Sequence, residues 1–177
     1  MQLIIILITV FGMNFQTVNK TIDFDNVDQT PTKFNDLSFD EQIMVWCLRI
    51  QTIGQIQSER VQSVLDGPND QEVKAYFQPI GSIARCILVG STEPIDVHNV
   101  QCPCFGQTEK LFLRLLYLQQ QKKFEQVNIE CHETFYPTTA RIISKNLTAL
   151  ALILDNFGAE IPNRGCYTQQ VRPRLIN

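Results

Sequence analysis

Residues 38–65 read SFDEQIMVWCLRIQTIGQIQSERVQSVL, and the fold class turns on this stretch. Ser38 and Glu41 form a capping box, in which each side chain satisfies an orphan backbone amide of the other's turn. Ile43, Trp46, Cys47, Ile50, Ile53, Gly54, Val61 and Val64 then recur at helical spacing. The pattern predicts an amphipathic helix running to about Leu65.

Asp66, Gly67 and Pro68 stop it, and Asn69 with Glu72 caps a second helix at once. Val73, Tyr76, Phe77, Ile80, Ala84 and Ile87 mark the buried face of that helix, with Pro79 expected to break or kink it near Gln78. So short a connection predicts a tight antiparallel hairpin. It also excludes bundle topologies that need a long first crossover. Cys47 precedes Pro68 by 21 positions and Cys86 follows it by 18, so the two fall within about 4.5 Å along the axis. A bridge between them is the expected first disulfide.

Residues 90–106 form a loop containing Pro94, His98, Cys102, Pro103 and Cys104. A third helix is predicted from near Thr108 and Glu109, with Leu111, Phe112, Leu115, Leu116 and Leu118 on one face. It is read as one long rod that fades into the polar 119–123. Val127, Ile129 and Cys131 alternate, which predicts that the chain leaves the helix and extends toward Tyr136. A last helix should begin at 137–139, where Pro or Thr suits a first turn, and end near Gly158. Its seam is Ile143, Leu147, Leu150, Leu154 and Phe157. The expected architecture is therefore all-α: a disulfide-linked bundle of about four helices.

Outward from this core, residues 1–11 (MQLIIILITVF) carry no charged side chain. The run is too short to span a bilayer, which takes about 20 apolar residues, and has the length of a secretory leader's apolar region. Cleavage after Gly12 would leave a polar, Asp-rich arm over 13–37 and a domain over 38–177. No later segment has the length of a membrane span. In a secreted chain, six cysteines (Cys47, Cys86, Cys102, Cys104, Cys131 and Cys166) imply up to three disulfides among 15 possible pairings. Cys102 and Cys104 flank a single proline, and closing so small a ring strains the bond. Different partners are expected for them, with Cys166 returning to this loop. Sequons at Asn19 and Asn146 are candidate glycosylation sites, although the helical arc puts Asn146 close to a buried face.

Composition narrows the function. The chain has 177 residues, 15 Lys and Arg against 18 Asp and Glu, and 44% apolar residues. That is enough for one core, and it supplies no basic field to drive nucleic-acid binding. The charge is uneven: 10 acids and 4 bases over 19–72, 8 acids and 11 bases over 73–177.

No nucleophile elbow, phosphate loop, zinc helix or dinucleotide fingerprint is present, and no cofactor is implied. Asp23, Asp25 and Asp28 lack the glycine and distal glutamate of a calcium loop. The CPC cysteines with His98 or His132 do not have the usual zinc spacing. Cys131 and His132 are adjacent, an unsuitable geometry for a nucleophile and its base, and Glu130 with Glu133 reads as a solvated turn. A non-enzymatic, extracellular role follows: binding to a protein or receptor, or alternatively carrying a small hydrophobic ligand in a bundle pocket.

Overall fold

The computed structural model describes residues 33–56 and 71–164. The described chain is all-α, with five helices and no strand: α1 (Phe39–Ile56), α2 (Gln71–Gly90), α3 (Gln107–Gln120), α4 (Phe124–Thr134) and α5 (Pro137–Asn156). The connection at 57–70, the apolar run 1–11 expected to be a leader, the Asn19 sequon and Cys166 lie outside the described residues.

Helix α1 starts as the capping box requires. The Ser38 N–H donates to Glu41 Oε2 at 2.7 Å, and the Glu41 N–H to Ser38 Oγ at 3.4 Å. Ile43, Met44, Val45, Trp46, Cys47, Leu48 and Ile50 are all buried, so this helix is enclosed nearly all round instead of carrying one apolar stripe. Ahead of it, Phe34 and Leu37 are also buried. The last residues of the polar arm are thus built into the domain, with Lys33 bridged to Cys104.

α1 packs on α2, where Gln51 Oε1 lies against Gly81. Of the break or kink expected near Gln78, a break does not occur: helix α2 runs through Pro79 as one element. α5 lies antiparallel along α2: Asn146 meets Ser82, and eight residues further along α2 Gly90 meets Thr139.

The third helix departs most from expectation. α3 is 14 residues long, about 21 Å, and stops at Gln120. Lys122 turns left-handed at φ 58°, the Lys122 N–H reaches the Gln119 carbonyl and the Lys123 N–H the Leu118 carbonyl. This is a complete Schellman stop. The segment that follows is helical, not extended, so the described residues form five helices where a bundle of about four was expected. Val127 and Cys131 are fully buried while Ile129 between them is 52% exposed. The relevant spacing is i, i+4, and the apparent alternation came from a residue that faces solvent. Arg114 and Glu130 join α3 to α4 by two bonds of 2.6 and 2.7 Å.

Helix α5 matches its expected limits. Pro137 is its first residue, and Gly158 at φ 66° closes the same Schellman pattern, with Ala159 N–H on the Leu154 carbonyl and Gly158 N–H on that of Asp155.

Candidate functional site

Loop 91–106 lies between α2 and α3, and a buried charge pair holds it. Arg49 is the only charged residue over 42–58, and both its side chain and that of Glu109 are fully buried. Arg49 Nε donates to Glu109 Oε1 at 2.7 Å and Nη2 to Oε2 at 2.9 Å. Nη1 also donates to the carbonyls of Asn99 and Cys102, at 3.3 and 2.8 Å, and Nη2 to that of Cys104 at 2.6 Å. All five donors of the guanidinium are used. Its carbon sits 4.7 Å from the Phe34 ring centroid, a cation–π contact.

Glu109 also accepts from the backbone N–H groups of His98 and Gly106, at 3.0 and 2.9 Å. A buried ion pair offsets its desolvation only when the remaining donors and acceptors are satisfied, and here they are. Asp96 completes the arrangement by accepting from the Gln107 N–H at 2.7 Å, while its own N–H donates to Thr108 Oγ1 at 2.9 Å. The start of α3 is thereby capped from the loop.

The cysteines fall into two groups. Cys47, Cys86 and Cys131 are buried among apolar residues of the core. Burial pushes the Cys47 thiol up to about 12 and, with the charge of Glu130 adding to it, the Cys131 thiol to about 12. Burial raises Cys86 as well, against the opposing charge of Arg85.

No disulfide joins Cys47, Cys86, Cys102, Cys104 and Cys131. The expected Cys47–Cys86 bridge is thus not formed, because the core accommodates these side chains as small apolar groups. Cys102 is half-buried and Cys104 exposed. The Cys104 N–H lies 3.4 Å from Cys102 Sγ, and Cys166, expected to return to this loop, lies outside the described residues.

The other sequence candidates are dispersed. His98 Nε2 lies 3.5 Å from Asp96 Oδ1. His132 is exposed, with Nδ1 2.8 Å from the Asn128 carbonyl, while Cys131 points into the core. Glu130 is held by Arg114 and Gln126. Among the described residues no cluster of three or more His, Cys, Asp or Glu side chains is arranged to hold a metal. Asn146 Nδ2, the atom a glycan would occupy, donates to Ser82 Oγ at 3.1 Å and to the Ile142 carbonyl at 2.8 Å.

Between α2, α3 and α5 the apolar residues Ile83, Ile87, Leu111, Phe112, Ile143 and Leu147 enclose a void of about 10 Å³, no larger than one water needs. Among the described residues no helix is long and apolar enough to cross a membrane.

Sequence periodicity did not single out Arg49, nor give Glu109 more than a helix-start role. The available signal was a lone charge with apolar neighbours on both sides in a helix buried all round. No family model matches this chain, and no curated protein or solved structure matches it either.

Proposed function

We propose that the protein is a secreted, helical binding protein whose working face recognises an extracellular protein. The observation that carries this reading is the exposed apolar pair Val89 and Tyr136, 80% and 57% accessible. The pair flanks a fixed backbone seam. Tyr136 N–H donates to the Gly90 carbonyl at 3.0 Å, and the Thr92 N–H and hydroxyl both donate to the Thr134 carbonyl, at 2.9 and 2.8 Å. Large apolar groups on an already ordered backbone lose little entropy when a partner covers them, and aromatic anchors dominate binding energy at protein interfaces.

Glu93 and Glu133, each next in sequence to a residue of that seam, are exposed. Arg85, one turn before Val89 on α2, and Arg141, which donates to the Pro137 carbonyl, are exposed as well, so charges of both signs lie near the pair. Secretion rests on the apolar run 1–11. In an oxidising compartment Cys102 and Cys104 are, among the described residues, the cysteines open to disulfide chemistry, and buried Cys47 and Cys131 are shielded from it. The carrier alternative draws no support from a void of about 10 Å³, against the hundreds of Å³ a small-molecule pocket takes.

The test is expression with the natural leader in secretory cells, followed by binding of the labelled secreted chain to intact cells of the expressing tissue. The expected result is an amino terminus at Met13, a glycan at Asn19 and saturable binding. V89D and Y136D should each weaken binding about tenfold or more, the loss of at least 1.4 kcal/mol expected of an anchor, while L152D on exposed α5 leaves it unchanged. A chain retained unprocessed in the cell, or equal binding by wild type, V89D and Y136D, overturns the proposal.

A further inference from the structure

The Cys102-Pro103-Cys104 turn is held more firmly than an exposed loop needs to be. Arg49 occupies the carbonyls of Cys102 and Cys104, the Phe34 N–H donates to that of Pro103 at 2.8 Å, and the Cys102 N–H donates to the Asn99 carbonyl at 2.9 Å. Every carbonyl of the tripeptide therefore has a fixed donor, and two of them come from a guanidinium that is fully buried. Within this clamp the two cysteine side chains face each other. The Cys104 thiol hydrogen-bonds to Cys102, an interaction that raises its pKa, and the Cys104 N–H points at Cys102 Sγ from 3.4 Å. Cys104 is open to solvent while Cys102 is half-covered.

We propose that Cys102 and Cys104 form a reversible dithiol–disulfide couple that oxidises protein dithiols by exchange. A disulfide across a single residue closes a strained ring, and a clamped backbone cannot relax to relieve it. Strain raises the reduction potential and marks labile, exchanging disulfides as opposed to structural ones.

The step balances. A thiolate of the incoming dithiol attacks Cys104 Sγ, the exposed sulfur; the Cys102–Cys104 bond breaks, and its electron pair leaves on Cys102 Sγ, where the Cys104 N–H is aimed. The second thiolate of the dithiol then attacks the substrate sulfur of the mixed disulfide. A substrate disulfide forms and Cys104 departs as thiolate. Two electrons and two protons have passed from the dithiol to the couple. This chemistry does not depend on the Val89 and Tyr136 face, so V89D and Y136D leave it unchanged and the two proposals fail separately.

The experiment equilibrates the full chain, as wild type, C102S and C104S, in buffers of graded reduced-to-oxidised dithiothreitol ratio. Acid quenching, alkylation and peptide mapping then read the thiols. C104S changes an exposed side chain and C102S a half-buried one, and circular dichroism checks that each retains the helical fold. The expected wild-type result is joint gain of two labels at Cys102 and Cys104. Half-reduction should come at a ratio at least about tenfold below that for an unstrained structural disulfide in the same buffers.

Oxidised wild type should also convert a reduced dithiol peptide to its disulfide one for one, and both serine variants should lose this. Finding Cys102 or Cys104 bonded to Cys166 or to a core cysteine overturns the proposal. So does a pair that stays alkylatable at every ratio, or exchange that persists in C102S and C104S.

Discussion

The α2–α5 seam lies inside the bundle, loop 91–106 lies largely at its surface over a buried charge pair, and the two are held by opposite means. The seam is apolar and distributed: Ile83, Ile87, Ile143, Leu147 and Leu150 are each at most 2% exposed, and each contributes a share that neighbours can partly replace. The loop has one polar centre. Arg49 and Glu109 between them engage the backbone of His98, Asn99, Cys102, Cys104 and Gly106. The difference teaches that the same burial can be robust or brittle. Apolar contacts fail gradually, whereas a saturated polar hub fails as a unit, because each lost partner strands a buried group.

Breaking the hub should therefore give the largest effect. R49A or E109A removes one charge and leaves the other buried and unpaired, a loss of about 3–5 kcal/mol. Urea denaturation with a lowered midpoint checks this. The double replacement R49M/E109L sharpens the comparison. Buried pairs elsewhere can be exchanged for apolar residues at no net loss, but here three carbonyls and two amides of the loop would lose their partners. The double variant is thus expected to remain destabilised by at least about 2 kcal/mol. Full recovery would show that the loop does not depend on the hub.

On the seam, L147A should cost about 2–5 kcal/mol, because it enlarges a void that Leu147 already lines. Unlike R49A, it should leave the protection of loop 91–106 amides from hydrogen exchange unchanged relative to the helices. Where seam and loop meet, Gly90 is packed against Thr139. A Cβ there would collide with Thr139 Oγ1, Cγ2 and Cβ. G90A is expected to cost about 1–3 kcal/mol, and T139G in the same chain should restore part of it. Thermal unfolding of the single and double variants reads this coupling.

How much of this was legible in the sequence is clearest at two helix ends of identical construction. α5 stops at Gly158 and α3 at Lys122, both left-handed and both closed by the same pair of backbone bonds. Glycine advertises the first; lysine conceals the second, and with it the separate helix α4. K122G should accordingly stabilise the fold by up to about 1 kcal/mol, by removing the cost of a Cβ in the left-handed region; a shift in denaturation midpoint measures it.

The capping box at Ser38 and the seam of α5 were legible because local pattern determines them. The hub was not, because Arg49 and Glu109 are 60 residues apart and only the tertiary fold shows that they meet. The cysteines were readable as a set, but not their division between core and surface. That division depends on which face of α1, α2 and α4 each one occupies, and helical spacing gives the face of one helix without naming its neighbour.

The smallest expected effect lies at the start of α1, beside the capping box. Burial raises the Asp40 carboxyl above 3.8; a hydrogen bond with the Glu160 backbone works against this, and the charges of Glu41 and Glu160 add to it. The native state therefore takes up this proton before the unfolded chain does. With more protons bound to the native state, stability falls as pH rises through the elevated native pKa. At neutral pH Asp40 is ionised and carries that cost in full; below pH 3.8 it is protonated in both states and the cost is gone. D40N keeps a side-chain acceptor for the Glu160 backbone without the charge. It should stabilise the protein at pH 7 by no more than about 0.5 kcal/mol, with the advantage shrinking to nothing as pH drops below 3.8. Paired denaturation curves of wild type and D40N from pH 7 to 3 measure the difference. A D40N gain that is constant across that range would show that the carboxyl's burial is not what separates the two proteins, and would place Asp40 with the solvated residues of the helix start.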